Sequence, residues 1–374
     1  METVQAARPL DNPVASAFRL RAKRFRETAA ALAKAVRRKF SLVIVLATTG
    51  VIHSDARDRI EVLRSIGGLP AHVAGAFRTP LAFQQADDGR YFVFDRRAHA
   101  VYTITGDDPP RKIIEVGQEQ GRVLDPSAFD IDPADGTFVI ADAPAGRQRV
   151  QTFTASGSQL GGFTLPGREV PRLTLGPLVL NGVRSLQFTG RSVLLNQPER
   201  GALVTELAFD GSTVRAFGEL RATGHEADSD LHLAFNAGLP LIDPTGGFYF
   251  VFQAGIPVFR KFDARGALLF ERHIEGAEVD EYLRTMPTSW PRHRTEDGDV
   301  VPLVPPAVTT AGVDRGGRLW VSLAAPFTYV YDASGDKIRT VQFKGADLLT
   351  PTSLFFTKDD RILVTPGCYA FKAR

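Results

Sequence analysis

The chain has one cysteine in 374 residues, Cys368, which excludes internal disulfides and thiolate zinc clusters. It also lacks the short motifs that announce chemistry. There is no Gly-x-Ser-x-Gly elbow, no His-Glu-x-x-His pair and no Gly-rich phosphate loop, so no catalytic motif is written locally. Net positive charge is missing from the body of the chain. Ten of the 45 Lys/Arg and three of the 42 Asp/Glu lie in residues 1–54, leaving 35 basic against 39 acidic residues. The pI of about 9.0 therefore belongs to the leader, and nucleic-acid binding by the body loses its main support.

The leader itself is short of acids. A basic segment is followed by an uncharged run at 41–54 and small residues near Ser54 and Ala56. That order of segments is the layout of a signal peptide, and the apolar run is too short for a comfortable membrane span. We expect residues 1–56 to be a basic leader plus signal peptide, and the mature chain to begin near Arg57, secreted or periplasmic. The alternative is a membrane anchor at 41–54. The length of the basic lead points to Val36 as an alternative start.

Glycine (34) and proline (24) are plentiful, which fits many turns. They punctuate a recurring unit. Asp88-Gly89 opens the apolar run Tyr91-Phe92-Val93-Phe94, which stops at Asp95. Val101, Tyr102 and Ile104 then alternate up to Gly106. The pattern is strand–turn–strand. Copies follow at Gly136, Gly190, Gly247, Gly317 and Asp360. In the first four, the stop residue stands six positions after the glycine: Asp95, Asp142, Asn196 and Gln253. Leu323 and Pro366 hold that place in the last two. Most copies add an apolar strand before and after, which makes four strands, the unit of a propeller blade. The last copy lacks its fourth strand, and residues 59–68 supply an orphan one. The expected fold is all-β, a six-bladed β-propeller of four-stranded antiparallel blades spanning 57–374. Its ring closes through Ile60, Val62, Leu63 and Ile66, packed as the covered outer strand of the last blade.

Pro80-Leu-Ala-Phe, Asp88-Gly89 and Phe94-Asp95 resemble an NHL repeat, and so do Pro126, Asp132 to Gly136, Ala141-Asp142 and Arg149 to Phe153. The resemblance covers about 59–374, and the third, fifth and sixth copies depart from it. It implies a propeller that serves as a binding scaffold.

Connections between blades are long at 166–182, 219–232 and 275–306. The last reads as a lid-like insertion: a short helix Ala277–Arg284, then Trp290 between prolines and a Pro-rich tail. It adds no blade strand, so removing 279–302 should leave the ring intact. By topology Arg96, Arg97, His99, Arg147, Arg200, Arg292, His293 and Arg294 share the loop-rich face. With Trp290 they are the ligand-binding candidates, suited to an anionic ligand or acidic partner surface; the competing reading is scattered solvated arginines. His225, Glu226, Asp228, Asp230 and His232 collect metal-capable side chains, but a solvated polar loop explains them better. Glu296-Asp297-Gly298-Asp299 could touch Ca²⁺ yet lacks the other ligands of a calcium loop. A ring of Asp95, Asp142, Asn196 and Gln253 could line a site, but the simpler reading has each satisfy backbone N–H groups of its own tight loop.

Three functions stay open. The first is an exported scaffold binding a protein, peptide or glycan through the loop-rich face. The second is a metal-dependent lactonase- or lyase-type propeller enzyme, which needs carboxylate and amide groups converging at the central channel. The third is a structural cell-envelope component.

Overall fold

The computed structural model of the protein describes residues 60–106, 108–165, 173–175, 178–180, 185–287, 289–294 and 300–373. The leader with its apolar run, most of the 166–182 connection and the acidic tetrad at 296–299 lie outside them.

Six antiparallel sheets follow one another along the chain, each running outward from an inner strand. The inner strands are Pro80–Gln85, Ala128–Ile131, Leu186–Phe188, Gly238–Ile242, Val308–Val313 and Ser353–Phe356. Together they line one central channel. This is the expected six-bladed β-propeller.

The second strands explain the core. Phe138–Asp142, Val193–Gln197 and Leu319–Leu323 are buried along their whole length, because a neighbouring blade covers each face. That is why they read as continuous apolar runs rather than as alternation. Aromatic rings bridge the blades: Phe129 and Phe138 lie 5.6 Å apart within blade two, and Phe94 and Phe129 stack at 5.5 Å across to blade one. Phe259 meets Tyr331 at 4.8 Å between blades four and five. Outer strands face water on one side, and Gln159–Thr164 alternates half-buried with exposed positions.

Ring closure differs in register from the expectation. Glu61–Arg64 pairs parallel with Lys337–Lys344, the outer strand of blade five. The chain then steps across, and Gly67–Gly68 pairs antiparallel with Tyr369 and Ala370 to complete blade six. The N-terminal segment thus spans two blades. Leu63 is 6% exposed, but Ile60, Val62 and Ile66 are 40%, 44% and 59% exposed. Their expected burial is corrected here: the segment lies on the perimeter, where only the inward-facing side chain finds a neighbour. The step needs glycine. A Cβ on Gly68, whose φ is +129°, would come within 2.2 Å of the Cys368 carbonyl oxygen.

The insertion folds as the helix Ala277–Arg284 followed by the hairpin Arg292–Arg294 and Val300–Pro302. It is not a simple surface flap. Val279 is buried among Tyr249, Phe259 and Tyr329, and Glu278 accepts a 2.6 Å hydrogen bond from the Tyr329 hydroxyl.

Candidate functional site

Two of the four stop residues, Asn196 and Gln253, link adjacent blades, and Asp95 and Asp142 tie segments within their own. Asp95 accepts from the backbone N–H of Arg78 (2.6 Å), Thr79 (3.0 Å) and Ala98 (3.2 Å). Asp142 accepts from Leu124 N (3.1 Å) and pairs with Arg149 at 2.6 Å. Asn196 accepts from Gly238 N (3.0 Å), at the start of the next blade, and Gln253 reaches toward the Thr309 carbonyl (3.4 Å). The reading in which each serves its own loop needs correction: Asp95 does so only in part, and the others reach the segment leading into an inner strand. Asp95, Asp142 and Asn196 answer buried N–H groups that require acceptors, and Gln253 donates through Nε2 to backbone carbonyls.

The arginine candidates are dispersed over different partners. Arg96 is half-buried and feels Asp125, which also faces His99 at 3.5 Å. Arg97, Arg147 and Arg294 are exposed. Arg200 reaches Gln197 (3.4 Å) and Thr213 (3.3 Å). Arg292 forms an ion pair with Asp228 and lies 3.9 Å from Asp230. Trp290 packs edge-on against Phe235 at 5.1 Å. The lid-like insertion and the 219–232 connection, singled out separately in the sequence, are therefore pinned to each other through Arg292.

The metal-capable side chains of that connection have structural tasks. Asp228 caps the helix Ser229–Phe235 through Leu231 N (3.3 Å). Glu226 accepts from Thr223 N (2.7 Å) and Gly224 N (3.1 Å), and His232 contacts the Thr223 hydroxyl at 2.8 Å. His225 stacks on Phe235.

The feature the sequence reading missed is inside the ring. The inner strands enclose a channel cavity of about 580 Å³. Leu81, Phe129, Leu186, Leu239 and Leu354 make much of its wall apolar. Tyr282, from the insertion's helix, and Pro305 and Pro306, at the insertion's end, complete it, and the Tyr282 hydroxyl donates to the Pro306 carbonyl (2.8 Å). Among the described lining residues, one carries an ionisable acid or base group of the Asp, Glu, Lys, Arg or His kind: Asp130.

Asp130 is 7% exposed. Its Oδ1 accepts from Gln84 Nε2 at 3.0 Å, and its Oδ2 from Gln187 Nε2 at 3.2 Å and Phe188 N at 2.8 Å. Gln84 is oriented by its own carbonyl, which accepts from Ile131 N (3.1 Å). A carboxylate from blade two is thus held by amides from blades one and three. Burial pushes its pKa up to about 7, against the hydrogen bonds that favour the charge. Two other buried aspartates receive cations, Asp243 from Lys261 at 2.9 Å and Asp314 from Arg318 at 2.7 Å, whereas Asp95, outside the channel wall, is held by backbone N–H groups alone. Gln253, another residue of the wall, has its Oε1 buried without a hydrogen-bond donor.

Cys368 is buried and its thiol is pushed up to about 12 by that burial, which fits an inert side chain. Among the described residues, no helix is long and apolar enough to cross a membrane.

No family model and no curated protein matches the sequence. Among solved structures, the chain is similar to a streptogramin B lyase, at 10% identity over 78% of this chain and 92% of that one, with a TM-score of 0.44. It is similar to a catalytically inactive virginiamycin B lyase from Staphylococcus aureus with quinupristin, at 13% identity, 78% and 93% coverage and a TM-score of 0.44. It is also similar to BamB from Moraxella catarrhalis, at 14% identity, 78% and 96% coverage and a TM-score of 0.41.

Proposed function

We propose that the protein is an exported, NHL-like binding propeller that takes part of a protein, peptide or glycan into its channel from the loop-rich face. One observation carries this reading. The channel, about 580 Å³, is lined by all six blades and is walled in part by Tyr282, Pro305 and Pro306 of the insertion. Its size lies within the usual ~300–1,000 Å³ range of ligand pockets. Apolar walls with a few fixed polar groups are the ordinary composition of such sites. The insertion is held by Val279 in the core and by Arg292 on Asp228, so it presents a formed wall.

The test is a defined panel of peptides and glycans bound to the intact protein and to Tyr282→Ala. The expected result is a ligand whose affinity drops at least about tenfold in the variant, the scale of one good side-chain contact. The variant should keep its melting temperature. A panel in which every ligand binds both proteins equally would place recognition elsewhere and overturn the reading.

A further inference from the structure

We propose that the channel is a cation site, in which Asp130, fixed by Gln84 and Gln187, receives the ammonium or guanidinium head of a ligand whose apolar body packs on the surrounding wall. This rests on the reading of the channel as the binding site, and it assigns that site a ligand chemistry.

Asp130 is a buried carboxylate whose partners are all neutral. A buried carboxylate is costly unless it is paired and hydrogen-bonded. The fold supplies cations to Asp142, Asp243 and Asp314, through Arg149, Lys261 and Arg318, and three backbone N–H groups to Asp95, which does not line the channel. Asp130 receives two neutral amides and one backbone N–H. These three donors fix its position and leave its charge unanswered. An ionised carboxylate offers about four acceptor sites, so one remains for an incoming donor.

The wall agrees in sign. The charged group in it, the Asp130 carboxylate, is an acceptor whose donors are all neutral. A cationic donor answers its charge, whereas a carboxylate or phosphate would meet a negative charge. The charge nearest in effect to Asp130 is Asp132, which also favours a cation. The apolar residues Leu81, Phe129, Leu186 and Leu354 set the second requirement, a non-polar body beside the charged head. A lysine- or arginine-bearing peptide segment fits that description, and so does a free arylalkylamine. The arginines on the loop-rich face do not reverse this. Arg292 is matched by Asp228, His99 faces Asp125, and exposed charges are screened over about 8–10 Å at physiological salt.

The test uses two probes of one shape, 2-phenylethylamine and 2-phenylethanol, titrated into the full-length protein at pH 8 by calorimetry. The amine should bind at least about tenfold tighter than the alcohol. Asp130→Asn keeps the shape of the side chain and should remove that preference. A second measurement does not depend on the variant. In carbon-13 NMR of the wild-type carboxyl group, saturating amine should lower the pH at which Asp130 titrates. Equal binding of both probes, no binding of either, or an unmoved Asp130 titration would overturn the cation site. The wider reading fails separately: it falls if the peptide and glycan panel shows no Tyr282-dependent ligand, whatever the amine does.

Discussion

A carboxyl group that folding buries without a cation lowers the stability of the fold, and Asp130 is such a group. Its folded value of about 7 lies above the 3.8 of an unperturbed aspartate. Between those values the folded protein holds a proton that the unfolded chain has lost. Stability therefore falls as pH rises through roughly 4 to 7 and stays at the lower level above that window. The shift corresponds to at most about 4 kcal/mol at 1.36 kcal/mol per pKa unit. Asp130→Asn removes the titrating group, so the wild-type loss of up to that amount between about pH 4.5 and pH 8 should vanish in the variant, as read from urea titrations. Its single acceptor oxygen leaves a cage donor unmet, which lowers stability at both pH values. A wild-type protein with the same pH dependence as the variant would mean that the amide cage compensates the charge fully. Sequence alone does not expose this residue. Ala128–Ile131 reads as an apolar strand because its other members are apolar, and Gln84 and Gln187 lie 46 and 57 positions away in other blades. Asp95 and Asp142, by contrast, stand out through their fixed distance from a turn glycine. What that spacing does not show is where each side chain reaches.

At the scale of elements, the insertion shows which part of a loop local pattern can reveal. Val279, Tyr282 and Leu283 stand at helical spacing, and the helix forms where that spacing predicts it. Spacing marks an apolar face but not what covers it. Val279 turns out to be core, packed against Tyr249 and Tyr329, and Tyr282 walls the channel. Removing 279–302 as a dispensable flap would therefore strip a buried contact from blades four and five. The hairpin beyond it is different. Leu303 N already bonds the Pro291 carbonyl at 2.8 Å, so the hairpin's base is closed. Replacing 292–302 with Asn-Gly, a favoured two-residue turn, should shift the melting temperature by no more than about 2 °C, roughly what ~1 kcal/mol produces in a domain of this size. Val279→Asp should cost several kcal/mol, because it buries an unpaired charge. Thermal melts of the two variants check the division. If the hairpin replacement melts as low as Val279→Asp, the whole insertion is one cooperative part of the core.

At the scale of the molecule, blade number is legible because the strand–turn–strand unit recurs six times, with the same turn-to-stop spacing in four copies, and closure follows from one blade being a strand short. The register of closure was not legible. Glycine in a strand usually weakens it, so Gly67 and Gly68 were not obvious as the residues that complete blade six. Ile60, Val62 and Ile66 looked like core because they are apolar, but they sit on the rim. This changes the energetics. Four buried aliphatic side chains would supply about 6–12 kcal/mol at ~1.5–3 kcal/mol each. Leu63 alone supplies ~1.5–3 kcal/mol. Closing bonds from Ser65 N to Lys344 O (3.0 Å), Ile66 N to Ala370 O (2.9 Å) and Leu69 N to Cys368 O (2.9 Å) add about 0.5–1.5 kcal/mol each. The segment is thus worth roughly 3–7 kcal/mol before its ordering entropy, against ~5–15 kcal/mol for a typical fold. Its larger effect is on the sheet edges. Without it, Lys337–Lys344 and Tyr369–Lys372 become open edges on adjacent blades, and open edges recruit other chains. A protein beginning at Ala71 should still fold, with a lowered urea midpoint and concentration-dependent association in sedimentation. Leu63→Ala should reproduce much of the stability loss while remaining monomeric, because it leaves both edges paired. If the shortened chain is monomeric and melts like the full one, the segment is not a closure. If Leu63→Ala associates as readily as the shortened chain, the association comes from lost core packing rather than from the edges.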